Sequence, residues 1–536
     1  MKKNLSIHWG HDSSLCLSDE DNIIGFMELE RISRIKSYSF KNIWKRDKTN
    51  NDFKNITSDF LGNFGFKFED VDRIGLIRTH RGEEIPNTIR ELFPNQTYHF
   101  FDHHESHAAV GYYSSPFKKS IVMTMDGGGN DGGLGFFLGE NNKLSKIKTL
   151  GDGSIGQTWT VLKRFWNKTK MGPIGTEGTL MGAAAYGKVI PELKELFHQT
   201  MENGENVWSS FPKTIEDLFK RKFFIKKPKY YANEQTYFDF CASLQSSFDL
   251  IFEKNLKIAH KNMEKYNADS IILSGGSIYN CVAVGKFIPK YFTKYFIPFS
   301  IDDGGLSLGC AMLLKHKLDN QPRNFDILDN LNSPYSGFDY KDNQLLNSIH
   351  SYKQIELSNV KIKEVAKLIS KGKIIGIFNG RSESGKRALG NRSIVADPRD
   401  PNMKDILNNK IKNRQSYRPF APTILEEYTK EFFEENVNSP YMNFSIKVKK
   451  EKVNLIPSAC HNDNTARLQT LSRNFNPSFY KLIEEFYKIT NIPILINTSF
   501  NESEPIVENI DDAIKTFLKS EIDHLFVSEK YLLSKV

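Results

Sequence analysis

The chain has no Cys-x-x-Cys pair. Its 5 cysteines, Cys16, Cys241, Cys281, Cys310 and Cys460, are odd in number and far apart, which argues against a disulfide framework and a thiolate zinc site and leaves reduced packing residues. Long apolar runs are missing as well: nothing approaches the roughly 18 residues that cross a bilayer. The opening Met1-Lys-Lys-Asn-Leu-Ser-Ile-His8 carries no continuous apolar stretch behind its basic pair, so a soluble cytoplasmic protein is expected. Repeats of solenoid period and low-complexity tracts are also absent, which argues against arrays and tails.

What is present is enough apolar material for more than one core. Hydrophobic residues make up 39% and aromatics 12% of 536 residues, and single cores stop growing near roughly 250 to 300 residues, so at least two domains are expected. The formal charge of +9 fits either a nucleic-acid partner or a Lys- and Asn-rich background with a few phosphate-binding sites; the second is the plainer reading.

Leu5–Trp9 and Ile23–Met27 read as strands joined by the polar turn Asp19–Asn22, an opening hairpin. Ile121–Met125 and Leu134–Leu138 flank the glycine-rich turn Asp126–Gly133, and Ser270–Leu273 is a short buried strand ending in Ser274-Gly-Gly-Ser277 with a helical segment behind it. Between about 316 and 350 the pattern dissolves into Lys, Asn, Asp and Pro around Ser333-Pro-Tyr-Ser-Gly337, which places a domain boundary there. Ile362, Val365, Ala366, Leu368 and Ile369 then share a helical face, with Ser358 or Asn359 as its cap and Gly372 at its end, before a strand at Ile374–Phe378. The second domain is therefore α/β.

In Asp102-His-His-Glu-Ser-His107, His103 and His107 lie four apart and share a face if the segment is helical. Such a pair alone is more often a capping or surface feature. Asp126, beside three glycines, and Asp303, in Asp302-Asp-Gly-Gly305, add carboxylates in tight turns, and this thiolate-free set suits iron, zinc or manganese. The turns at Gly10–Ser14, Asp126–Gly133 and Ser274–Ser277 stand beside strands, where backbone amides receive phosphate; each alone is also an ordinary turn. In this order they resemble the actin-like ATPase and sugar-kinase (ASKHA) architecture, with Gly127, Gly128, Gly275, Gly276 and Asn280 as the nucleotide contacts.

Arg381, Arg387, Arg392, Arg399, Arg414 and Arg418 crowd a segment of a chain that elsewhere favours Lys, and arginine grips phosphate or carboxylate bidentately. A solvated basic face is the bland alternative; the interleaved Gly385, Gly390 and Pro419 speak against it. Asn497-Thr-Ser-Phe-Asn501, after the apolar run Ile492–Ile496, offers amides and hydroxyls to the same ligand or is a plain strand-end turn.

Over nearly its whole length the chain resembles the O-carbamoyltransferase family of nodulation-factor and antibiotic biosynthesis. The resemblance is carried by Gly10-His-Asp-Ser-Ser14, Glu28-Leu-Glu-Arg-Ile-Ser-Arg-Ile-Lys36, Asp102-His-His-Glu-Ser-His-Ala-Ala109, Gly175-Thr-Glu-Gly178 and Gly182-Ala-Ala-Ala-Tyr-Gly187. It continues through Ser274–Ser277, Gly380–Ser393, Ala396-Asp-Pro-Arg399, Tyr417-Arg-Pro-Phe-Ala-Pro422 and Asn497–Asn501. It implies residues 1–335 as an ASKHA-like domain that transfers carbamoyl groups with a metal, and 345–536 as a YrdC-like domain that makes carbamoyl-adenylate from carbamoyl phosphate and ATP, with magnesium as a candidate companion.

By the same resemblance His103, His107, Asp126 and Asp303 hold a metal, usually iron, and His11 and Lys36 line the transfer site. Carbamoyl phosphate and ATP fall to Arg381, Arg387, Arg392, Lys412, Arg414, Arg418, Arg467, Asn497, Ser499 and Asn501, with Arg418 also counted as catalytic. The acceptor is a hydroxyl of a small molecule, sugar or glycan. Two positions depart from the family pattern: Lys386 stands where proline is usual, and Asn464 where glycine is. The competing readings are a transfer-RNA-type carbamoyl-modifying enzyme, which the basic charge would suit, and a non-enzymatic ATP-binding module, against which the arginine loops argue.

Overall fold

The computed structural model describes residues 2–39, 50–78, 82–150, 155–167, 176–203, 207, 211–222, 234–323 and 333–536; Gly175, the first residue of one of the motifs, lies outside them. Three sheets organise the chain. The first is built from β1 (Asn4–His8), β2 (Ser14–Ser18), β3 (Ile23–Glu28), β4 (Arg73–Ile77) and β5 (Thr97–Phe101), in the order β3-β2-β1-β4-β5. The expected hairpin of Leu5–Trp9 with Ile23–Met27 is corrected here, because β2 intervenes and pairs with both. Its Ser-Leu-Cys-Leu-Ser sequence carries a weak strand signal. The Asp19–Asn22 turn joins β2 to β3, with Asp19 Oδ1 accepting the amides of Asp21 and Asn22 at 2.9 and 2.7 Å.

The second sheet contains β6 (Lys119–Gly129), β7 (Gly132–Glu140), β8 (Lys143–Leu150), β9 (Ile271–Ser274) and β10 (Tyr295–Phe296), in the order β10-β9-β6-β7-β8. Read from its other edge, this sheet repeats the first: an antiparallel meander of three strands, then two strands added in parallel beside the first of them. That duplication is one of connectivity and shows no repeat in the residues. The third sheet takes nine strands, all from residue 355 onward.

Between the first two sheets lie two helices. Helix α1 (His103–Tyr113) covers β6 and β9, α3 (Leu306–Leu313) covers β1, β2 and β4, and the two pack on each other. The helix that follows β9 in the chain, Cys281–Tyr291, is α2. Every residue of α1 except Glu105 is buried, which its small residues permit. A Cβ on Gly309 would stand 2.1 Å from the Ser106 carbonyl oxygen, and one on Gly111 would stand 2.6 Å from Ile272 Cγ2. Gly309→Ala is therefore expected to push α3 off α1 and destabilise the protein by about 1 to 3 kcal/mol, read by thermal unfolding. An unchanged melting temperature would show that the crossing yields freely.

Helix α4 (Ile362–Ser370) forms as expected, but its cap is corrected: Ser358 and Asn359 lie in the strand Ile355–Asn359. The first turn is closed instead by Glu364, whose carboxylate accepts the Lys361 amide at 2.8 Å. Gly372 follows in the left-handed region at φ +84. The Ser333–Gly337 punctuation is packed rather than free: the Phe26 amide donates to Ser336 O, the Gly337 amide donates to Ser382 O, and Tyr335 Oη donates to Leu389 O. Among the described residues no helix is long and apolar enough to cross a membrane.

Candidate active site

The ends of α1, α3, β1 and β6 converge on one point. His103, His107, Asp126 and Asp303, all buried, bring one ligand atom each to within 4.8 Å of one another. His103 Nε2 lies 3.0 Å from Asp126 Oδ2 and 3.2 Å from His107 Nε2. His107 Nε2 lies 3.6 Å from Asp126 Oδ2 and 3.5 Å from Asp303 Oδ1. Ring nitrogens that face each other with two carboxylates at hand form a nitrogen and oxygen donor set of the kind that holds a divalent transition metal. The local sequence explains the convergence: Gly129 leaves room for the His103 ring, which a Cβ there would meet at 2.9 Å, and Gly304 lets the Asp302–Gly305 turn close over Glu28. Gly275, at φ +96, passes so near the Met125 carbonyl that any Cβ would collide. The neighbouring Gly276 amide then donates to Asp126 Oδ1 at 3.0 Å, orienting that carboxylate.

Burial disfavours the imidazolium of His107, yet its contacts with Asp126 and Asp303 push it up to about 9. Burial likewise opposes ionisation of Asp126, and hydrogen bonds from His103 and His107 still hold it well below the usual carboxylate range. The sign follows: a raised histidine stabilises the metal-free fold below its ordinary value near 6.5, and that contribution fades as pH rises through about 9. A metal requires neutral His107, so metal binding is expected to release about one proton at neutral pH and to tighten as pH approaches 9. Calorimetry in buffers of different ionisation enthalpy reads the proton directly, and a proton count of zero would contradict the assignment.

Around this centre, His8 Nε2 contacts the His11 carbonyl at 3.0 Å, and burial draws His8 down to about 4. His11 Nε2 stands 3.2 Å from Asp303 Oδ2 and its Nδ1 stands 3.1 Å from Asp12 Oδ2. Asp303 and then Asp12 raise His11 to about 10. Lys36 is exposed, and its value is lowered by partial burial and by the repulsion of Arg418, against the pull of Glu30. It therefore borders the second cluster.

That second cluster is cationic. Lys412, Arg414, Arg418, Arg467 and Arg387 repel one another. Burial lowers Lys412, with Arg414, Lys36 and Arg418 adding to it; burial lowers Arg414, with Arg418 and Arg467 adding; burial takes Arg467 down to about 9, with Arg387 adding. Nε of both Arg387 and Arg467 is buried without a partner among the described residues. Arg387 lies over the Tyr279 ring at 5.0 Å, and Arg414 lies over Phe420 at 4.6 Å. Glu504 offsets the repulsion only in part at Lys412, and cations so gathered are unfavourable until an anion arrives. Lys412 Nζ reaches Ser499 O, Asn501 O and Asn501 Oδ1, so the Asn497–Asn501 segment anchors this lysine.

Four of the expected contact residues already make contacts within the protein. Arg392 is fully buried, donates to the Asn379, Gly380, Asn391 and Glu508 carbonyls, and stacks on Phe378 at 3.7 Å; it holds the loop together. Arg381 donates to Gly337, Ser336 and Ile24 carbonyls and ties chain segments together. Asn280 caps α2 by accepting the Ala283 amide and pairs with Gln245. Asn497 donates to Ala388 O, Thr423 Oγ1 and Gln469 Oε1 inside the third sheet. Glu28, Asp12, Asp302 and His8, buried or half-buried beside the centre, were not singled out from the sequence. The only signal for them was their place inside or next to the Gly10–Ser14, Glu28–Lys36 and Asp302–Gly305 segments.

Residues 87–312 match the family described as Carbamoyltransferase N-terminus, and residues 366–535 match Carbamoyltransferase C-terminus. Nodulation protein NolO of Bradyrhizobium diazoefficiens is 33% identical over 80% of this chain and 77% of its own. The chain belongs to the carbamoyltransferase family. It is accordingly a transferase, with both family regions on one polypeptide. Nodulation protein NolNO of Sinorhizobium fredii is 34% identical over 81% of this carbamoyltransferase-family chain, which spans 64% of NolNO. The solved structure of T. kodakarensis HypF aligns with TM-score 0.36 and 11% identity over 60% of this chain and 49% of its own.

Proposed function

We propose that the protein is an ATP-dependent O-carbamoyltransferase acting in two steps at two sites. At the cationic cluster, water cleaves carbamoyl phosphate to carbamate and phosphate. The carbamate oxygen then attacks the α-phosphorus of ATP, the bond to the β-phosphate oxygen breaks, and pyrophosphate leaves with its charge held by Arg387, Arg414, Arg418 and Arg467. Carbamoyl-adenylate passes to the buried centre. There an acceptor hydroxyl attacks the carbonyl carbon, the bond to AMP breaks and the hydroxyl proton passes to water, while His11, kept cationic by Asp303 and Asp12, lines the site.

His103, His107, Asp126 and Asp303 would hold the metal, iron in this reading, and the chemistry it supplies when bound is Lewis-acid polarisation of the carbamoyl carbonyl. Lys36, which feels Arg418 of the cationic cluster and Lys386, would follow the phosphate of the adenylate. The duplicated sheet order supports an actin-like ATPase fold for residues 1–335, and the separate third sheet supports 345–536 as the adenylate-forming unit. Gly127, Gly128, Gly275, Gly276 and Asn280 are the nucleotide contacts of this reading, with the Gly276 amide also serving Asp126. The acceptor class, a small molecule, sugar or glycan hydroxyl, is the one the family resemblance supports.

The observation that carries this reading is the pairing, in one carbamoyltransferase-family chain, of a nitrogen and oxygen donor set with a separate set of mutually repelling cations. The test supplies ATP and labelled carbamoyl phosphate, follows pyrophosphate, and screens hydroxylated metabolites and glycans for label. Pyrophosphate release that does not depend on carbamoyl phosphate would sink it.

A further inference from the structure

The loop that carries Arg387 also sends a lysine the other way. Gly385 is fixed on residues of the first two hundred positions and the Asp302 turn region: its amide donates to Glu28 Oε1, its carbonyl accepts Arg31 Nη2 at 3.0 Å, and a Cβ on it would stand 2.5 Å from Phe299 O. From this anchored point Lys386 Nζ reaches back across the chain. It donates to Asp12 Oδ1 at 2.5 Å and sits 3.1 Å from Asp302 Oδ2. Asp12 occupies the left-handed region at φ 57, which aspartate accepts more readily than most residues, and its carboxylate is held by these contacts.

The other oxygen of Asp12 meets His11 Nδ1 at 3.1 Å, and His11 Nε2 meets Asp303 Oδ2 at 3.2 Å. The contacts form one line, Lys386 to Asp12 to His11 to Asp303. The decisive quantity is that the His11 side chain is 73% exposed. Packing therefore does not hold the ring; Asp12 and Asp303 hold its two nitrogens, and Asp12 is held by Lys386. Without the ammonium, Asp12 and Asp302 would be two neighbouring carboxylates repelling each other.

We propose that Lys386 is a positioning residue for the transfer site, setting the direction of His11 through Asp12 so that the donor centre is complete only when the loop Gly385–Gly390 is docked on it. The proposal rests on the two-step reading above for its kinetic test, while its spectroscopic test stands apart. Lys386→Met should keep carbamoyl-phosphate-dependent pyrophosphate release within about twofold. Its carbamoyl transfer to methyl glycosides, or to whichever panel hydroxyl accepts label, should fall about tenfold or more in kcat with acceptor KM little changed. Lys386→Arg should recover most of the loss.

In an Asp12→Asn background Lys386→Met should add less than about a twofold effect, because the line is already cut. Full multiplication of the two effects, or equal loss of both half-reactions in a protein of unchanged melting temperature, overturns the proposal. Independently of any carbamoyl chemistry, the visible spectrum of the cobalt-loaded protein should change in Lys386→Met, since Asp303 loses its oriented partner; an identical spectrum overturns it. Lys386→Gln replaces Lys386→Met in each arm if the latter does not fold. Wild-type protein without pyrophosphate release would refute the two-step reading and leave the cobalt comparison to judge Lys386.

Discussion

Asp303→Ala is expected to eliminate carbamoyl transfer, by about a hundredfold or more, while single-turnover pyrophosphate release survives. Asp303 is 5% exposed and faces both the candidate donor set and His11: Oδ1 faces His103 at 3.6 Å and His107 at 3.5 Å, and Oδ2 faces His11 at 3.2 Å. Truncation removes a ligand atom and the partner of His11 together. Metal content should fall in the same variant, measured by elemental analysis. The cationic cluster is built from other side chains, so adenylate formation has no reason to follow. Should Asp303→Ala lose single-turnover pyrophosphate release as completely as a cationic-cluster variant, two separate sites are the wrong description.

Arg418→Ala should behave in the opposite sense. Loss of a charge-assisted contact to phosphate costs on the order of 1.5 to 3 kcal/mol, roughly a tenfold to hundredfold drop in pyrophosphate release at ordinary carbamoyl phosphate concentrations. The same substitution removes one of several cations that repel each other: Arg418 depresses both Lys412 and Arg414. In phosphate-free buffer Arg418→Ala is therefore expected to melt at a higher temperature than the parent, and added phosphate should raise the parent more than the variant. A variant that is less stable in both buffers would mean that Arg418 serves the fold and not the anion.

The sequence made the donor set legible because its residues stand in short, unusual surroundings: a His-x-x-x-His on one helical face, and aspartates flanked by glycines whose missing Cβ atoms the structure uses, as at Gly129 and Gly304. The arginines were legible as a group and not individually. Arg387 and Arg392 are five positions apart, one in a loop and the other opening the strand Arg392–Ala396, yet one keeps a buried nitrogen without a partner among the described residues and the other spends its donors on carbonyls. Nothing local in residue type separates them, since the difference lies in which backbone carbonyls turn inward. Asn280 is ambiguous for the same reason, because a helix cap and a ligand contact call for the same amide. The missed strand Ser14–Ser18 has two serines at its ends, and the duplicated sheet order lives in pairing, which a single sequence does not display.

The distances along the chain that close the centre have a consequence for how it comes into being. His103 and Asp303 are separated by most of the first sheet pair, Gly385 binds Glu28 across 357 positions, and Lys386 reaches Asp12 across 374. A nascent chain leaving the ribosome thus carries its early histidines long before their partners exist, and loops of such span close slowly. The donor set first becomes whole when Asp303 is made, and His11 first takes its direction when the loop after residue 384 arrives. Synthesis itself sets an order, because the contacts of Asp12 with Lys386 and of Glu28 with Gly385 await the last third of the chain.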